Sequence, residues 1–138
     1  MIRIKDASVS LDRLDLELWA LIPAIAECYW HRSIVEFWIT SGTEHTTEHR
    51  GQPVAGDLED PHYAGKAIDA RIQNCPPALR PDLVDSVAGV LGASERHESA
   101  DGALVHTGPV FVLRWEYRGT AREHLHVQKG HVAETAVA

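Results

Sequence analysis

Asp60-Pro61-His62-Tyr63-Ala64-Gly65-Lys66-Ala67-Ile68-Asp69-Ala70-Arg71 decides how the rest of this chain is read. Its second half alternates. Ala67, Asp69 and Arg71 face one way, and Lys66, Ile68, Ala70 and Ile72 the other, which is the period-two signature of a strand with one face on a core. Gly65 permits a tight turn between His62 and that strand. The turn lets the imidazole of His62 and the carboxylate of Asp69 converge although seven positions separate them.

A second stretch supplies the complement. In Glu123-His124-Leu125-His126-Val127, a strand from about 124 to 128 puts His124 and His126 on one face. Three protein ligands with one position left for water is the usual arrangement of a hydrolytic zinc site. Such an ion lowers the pKa of water and polarises a carbonyl, and a nearby carboxylate moves the proton. His62, Asp69 and His126 are the candidate ligands, Glu123 the candidate base, and His124 a hydrogen-bond donor to a substrate oxygen.

The segments around these two fill in an α+β domain with a mainly antiparallel sheet and two main helices. Residues 10–32 carry an apolar stripe at three- and four-residue steps, from Leu11 to Tyr29. Ser10 is the expected N-cap, and Pro23 is expected to kink the helix or split it. Residues 34–39 are β-branched and aromatic, which predicts a strand covered on both faces. Residues 43–61 are polar and aperiodic, a loop expected to line the site. The second helix opens at Pro81 and stops at Gly92. Residues 93–102 read as turn-rich and polar, then strands follow at 105–106 and 110–117 around Gly108-Pro109. The segment 130–138 is expected to fray.

The 138 residues, with 44% hydrophobic and 24% charged, fit one domain with a core that needs no disulfide or structural metal. The formal charge of −7 disfavours nucleic acid and anionic membrane surfaces. Cys28 and Cys75 read as free, buried thiols, with one disulfide as the alternative. The N-terminal residues lack the apolar stretch of a signal peptide, and no apolar run approaches a membrane span. The expectation is synthesis in the cytoplasm, with any action outside that compartment following release. His31, His97 and His131 read as ordinary surface or core histidines, His45 and His49 as loop residues. The four tryptophans read as core and rim.

His62 to Asp69 resembles the HxxGxAxD motif of the D-alanyl-D-alanine carboxypeptidase and L-alanyl-D-glutamate endopeptidase families, zinc peptidases that share a fold with the hedgehog signalling domain. Glu123-His124-Leu125-His126 is similar to that group's second motif, an acid three residues before the last metal histidine. Ile39-Thr40-Ser41-Gly42-Thr43 resembles a strand-to-loop segment of small phage members. The similarity spans roughly residues 34–128. It implies a hedgehog/DD-peptidase-like fold, Zn2+ on His62, Asp69 and His126, and Glu123 as catalytic base. It also implies cleavage of peptidoglycan stem peptides by a phage or prophage enzyme. Asp60 stands where many relatives have serine. Thr43-Glu44 stands where many have an arginine that steadies substrate or transition state, which leaves Arg50 and Arg71 as candidates. A zinc-binding but non-hydrolytic structural or interaction domain is the alternative, as in the hedgehog relatives.

Overall fold

The computed structural model describes residues 1–44, 48–49, 52–53, 61–62 and 64–130. The architecture is α+β. An open seven-stranded sheet has the order β1-β2-β5-β9-β8-β7-β6, where β1 is Ile2–Ile4, β2 Phe37–Ser41, β5 Ala67–Arg71, β6 Glu95–Glu98, β7 Leu104–Thr107, β8 Phe111–Glu116 and β9 His124–Lys129. Every neighbouring pair is antiparallel except β1 with β2. A separate pair, β3 (Glu48–His49) and β4 (Gln52–Pro53), lies within the stretch read as loop. Helices α1 (Leu16–Trp30) and α2 (Arg80–Val90) share one core with the sheet. Among the described residues, no helix is long and apolar enough to cross a membrane.

Alternation along the strands divides the sheet into two faces. Ile68 and Ala70 of β5, Leu113 of β8, and Leu125 and Val127 of β9 are fully buried with Leu18, Ile25 and Tyr29 of α1 and Leu83, Val84 and Val87 of α2. This is the dry face. Asp69, Arg71, His124, His126, Gln128, Arg114 and Glu116 fall on the other, because antiparallel partners share a face. The register aligns Asp69 with His126 and His126 with Arg114, and one step along, Arg71 with His124 and His124 with Glu116.

Several boundaries differ from the sequence reading, each for a local reason. Helix α1 begins at Leu16, capped by Asp15, whose carboxylate accepts from the Glu17 and Leu18 N–H groups. Ser10 is not the cap. Its carbonyl accepts the Thr43 N–H, and Arg13 has φ of +63°, which the right-handed helix excludes. Leu14 therefore packs in the core from a turn. Pro23 lies inside a continuous helix rather than dividing it in two. Strand β2 starts at Phe37, three residues after the expected start. Ser33 turns at φ +62°, Ile34 N–H still bonds the Tyr29 carbonyl, and Val35 is 72% exposed. It is covered on one face only, Trp38 being half-buried. Neither β1 nor β6 is expected from the sequence: β6 is charged throughout, and the Ile2-Arg3-Ile4 alternation of β1 is only three residues long and exposed; pairing at the two sheet edges makes them strands. Gly92 stops α2 with φ +67°, as expected. Cys28 and Cys75 are free and buried. Residues 131–138 lie outside the described residues.

Candidate metal centre

The turn ahead of β5 builds the first ligand. Gly65 N–H donates to the His62 carbonyl at 3.0 Å, and Lys66 N–H to the Pro61 carbonyl at 2.9 Å. Gly65 has φ +78°, and a Cβ there would collide with the Arg13 carbonyl oxygen. Only glycine fits, because the backbone is left-handed and Asp15 N–H must reach the Gly65 carbonyl at 2.7 Å. Gly42, at the end of β2, is equally confined. A Cβ on it would strike the Ser10 carbonyl oxygen. The Gly42 carbonyl is thereby held 2.9 Å from His62 Nδ1.

His62, Asp69 and His126 converge, with one donor atom from each lying within 4.8 Å of the others. His62 Nε2 is 3.4 Å from Asp69 Oδ1, and His126 Nδ1 is 2.9 Å from the same oxygen. The rings meet edge to face, centroids 5.0 Å apart. Both imidazoles are buried. Their outward nitrogens meet oxygen acceptors: the Gly42 carbonyl for His62 Nδ1, and Gln128 Oε1 at 2.9 Å for His126 Nε2. Each inward nitrogen, Nε2 of His62 and Nδ1 of His126, meets Asp69 Oδ1 through its own N–H; a cation would take the place of that proton, and the outward acceptors would then hold the N–H that each ring keeps. Burial works to raise the Asp69 pKa, but the two imidazoles bonded to it hold the carboxyl far below the usual range. It is an anion at any physiological pH. Two imidazoles and one carboxylate, oriented from behind and about 3 Å apart, make a donor set that fits a divalent ion.

The other expected site residues divide. His124 stands beside the cluster. Its Nδ1–H donates to the Arg122 carbonyl at 2.8 Å and its Nε2–H to Glu116 Oε1 at 3.0 Å, with Asp69 Oδ2 at 3.9 Å. Burial alone would lower its pKa, but Glu116 and Asp69 raise it to about 9. With both ring nitrogens donating, it is a cationic donor. Arg71 is one strand step from the ligands, stacked on Trp38 with its guanidinium 5.1 Å from the ring centroid. Arg50 lies outside the described residues, as do His45 and His131.

Glu123 is not with the cluster. Its carboxylate is buried on the helix side of the sheet, where Arg80 Nη1 donates to it at 2.7 Å, Trp115 Nε1 at 2.6 Å and Gly119 N–H at 3.2 Å. The physical reason is parity. Three residues before His126 is an odd step, so an extended chain points Glu123 the same way as Leu125, away from the metal face. An inward bend before β9 would have been needed, and Arg80 and Trp115 hold the carboxylate the other way.

The carboxylate that does share the site's face is Glu116. Its Oε1 accepts from His124 and its Oε2 from Arg114 Nε at 3.0 Å. Burial would raise its pKa, but the His124 bond and the neighbouring His126 lower it. Sequence reading passed over Glu116 and Gln128. The signal was the alternation of Arg114 and Glu116 with Leu113 and Trp115, together with the register of the β8–β9 hairpin. In comparisons with protein-family models, curated proteins and solved structures, nothing matches this chain.

Proposed function

We propose that this chain is a zinc-dependent peptidase of the D-alanyl-D-alanine carboxypeptidase and L-alanyl-D-glutamate endopeptidase kind, with a hedgehog/DD-peptidase-like fold. Its substrates on this reading are the peptide stems of bacterial peptidoglycan, and its source a phage or prophage. The observation that carries the reading is the convergence of His62 Nε2, Asp69 Oδ1 and His126 Nδ1, with both rings oriented by acceptors behind them. It sits on the two segments that resemble the family's motifs. When bound, the zinc ion supplies Lewis acidity to a water and to the scissile carbonyl.

The protein's own groups then have defined work. Glu116, ionised and on the site's face, takes a proton from the attacking water and returns it to the leaving amine. His124, held by Glu116 and the Arg122 carbonyl, offers positive charge to the oxygen on which negative charge develops. The dry face behind Asp69 and His126 keeps the strands, and with them the donors, in fixed register.

One observation favours a second reading, a zinc-binding domain that does not hydrolyse. Both oxygens of Glu116 are already engaged, by His124 and Arg114. Incubation with purified peptidoglycan and zinc separates the two. The peptidase reading expects peptide release by the wild type, a fall of about 100- to 10,000-fold in Glu116→Gln with zinc still bound, and near-full release by Glu123→Gln molecules that remain folded. Stoichiometric zinc without release by the wild type overturns it.

A further inference from the structure

The two outer strands of the seven-stranded sheet are built differently. Strand β6 carries Glu95, Arg96, His97 and Glu98, with no apolar residue, and charge of this kind keeps a sheet edge from pairing. Strand β1, at the other end, reads Ile2-Arg3-Ile4, and all three residues are exposed. Its one charge is matched within the chain. Arg3 Nε donates to Glu36 Oε1 at 2.8 Å, and the guanidinium lies over the Trp38 ring.

Hydrogen-bond parity gives β1 a free rim. Phe37 N–H donates to the Met1 carbonyl and Lys5 N–H to the Ile39 carbonyl, both at 2.9 Å. The odd-numbered residues therefore turn their backbone groups toward β2. Ile2 and Ile4 turn theirs the other way, where no strand lies among the described residues. Their side chains stand on the helix side of the sheet, in register with Phe37 and Ile39. Phe37 and Ile39 are buried there, whereas Ile2 and Ile4 are exposed beyond the cover of the helices. Next to β1, exposed Met1, Trp30 and Val35 line a groove of about 380 Å³. The indole of Trp30 is fixed by its Nε1–H, which donates to the Val35 carbonyl at 3.1 Å.

An unpaired backbone rim beside an apolar patch is a template for another strand. The order of residues on this rim suits a copy of itself. Antiparallel pairing about a two-fold axis through Arg3 sets Ile2 opposite Ile4 of the second copy, and Ile4 opposite its Ile2. Each of these pairs exchanges both of its backbone hydrogen bonds. The isoleucines meet on the helix side and extend the patch across the axis toward the groove. The two Arg3 side chains meet on the opposite side, each with its own Glu36, so the axis carries no net charge although the whole chain stands at −7.

We propose that the β1 edge is a dimerisation surface, on which two copies of this chain join their sheets by antiparallel pairing of Ile2–Ile4. The surface is separated from the metal centre by β2, and its pairing does not depend on what that centre does. Three paired residues and one groove a side fall short of the about 800 Å² per partner of a standard interface, so the dimer is expected to be weak, with a dissociation constant of about 10 to 500 µM.

Sedimentation equilibrium of the full chain from about 5 µM to about 1 mM tests this, because a weak dimer forms by mass action across that range. The mass is expected to climb from one chain toward two. The double variant Ile2→Lys, Ile4→Lys should remain one chain throughout, with an unchanged urea midpoint at low concentration, since both side chains are exposed in the monomer. Cross-linking checks the register without relying on that variant. Opposed Arg3 residues form a non-hydrogen-bonded pair with Cα atoms about 4.5 Å apart, within reach of a disulfide. Arg3→Cys should therefore cross-link under diamide at least about tenfold faster than Ile2→Cys, which faces residue 4 of the copy rather than itself. The wild type, whose Cys28 and Cys75 are buried, is the control. A monomer at every concentration overturns the proposal and leaves the edge to a foreign strand. A dimer that survives in the folded double variant, or equal cross-linking of the two cysteine variants, overturns it as well.

Discussion

The two faces of the sheet use the same strands in opposite ways, and two glutamates show it. Glu123 and Glu116 flank the β8–β9 hairpin, seven residues apart. Glu123 faces the helices, 3% exposed, and receives three donors from Arg80, Trp115 and Gly119. Glu116 faces the metal centre and shares its oxygens between His124 and Arg114. On the first, the Arg80 bond joins α2 to the sheet, and the Trp115 and Gly119 bonds tie it to β8 and the turn that follows. The second is held by groups at an open face, where a ligand can compete for them. Resemblance of sequence pointed to Glu123, and strand parity points to Glu116.

The sharpest way to break that comparison is to remove Glu123. Glu123→Ala leaves the Arg80 guanidinium and the Trp115 indole N–H without their acceptor in a buried setting. It is expected to cost about 3–5 kcal/mol in urea unfolding, while Glu116→Ala costs about 1 kcal/mol. Equal losses would mean that the two carboxylates are not divided between structure and chemistry as described.

A smaller effect probes the orientation of the ligands. Gln128 touches His126 only through the nitrogen that faces away from the cluster. Gln128→Leu is expected to weaken zinc about 10- to 100-fold by competition with a chelator, with unfolding free energy in chelator little changed. An unaltered zinc affinity would show that the tautomer of His126 is not set by this bond.

The smallest effect concerns the dry face. His106 of β7 is buried, and neither ring nitrogen has a hydrogen-bond partner among the described residues; Asp85 Oδ1 is 3.4 Å from Nε2. Burial lowers its pKa, assisted by Arg96 and opposed by Asp85. The folded protein thus binds a proton here less readily than the unfolded chain. Stability contributed by the neutral ring is complete above the unfolded pKa of about 6.5 and falls as pH drops below it, toward the lowered folded value. Between pH 7.5 and 5.5 the wild type should lose up to about 1 kcal/mol more than His106→Leu in urea unfolding. Parallel losses in the two proteins would place the ring in contact with water.

How much was legible follows from where the information lies. The alternation of residues 66–72, the turn at Gly65 and the shared face of His124 and His126 are local properties, and the structure has each of them. The start of α1 was misplaced because Leu11 and Leu14 continue the apolar spacing, while the cap at Asp15 and the left-handed Arg13 interrupt it. Strand β6 carries no apolar period, and that of β1 spans three exposed residues, so their neighbours reveal them.

By itself the sequence determined the donor types, their parity within each strand and the glycine that turns the chain between His62 and Asp69. Tertiary structure decided which parities meet. Hairpin register set Glu116 opposite His124, the Gly42 carbonyl and Gln128 oriented the two imidazoles, and the helices claimed Glu123. The physical reason is that a side chain's face within a strand is fixed every two residues, whereas its partner is chosen by strands far away in sequence.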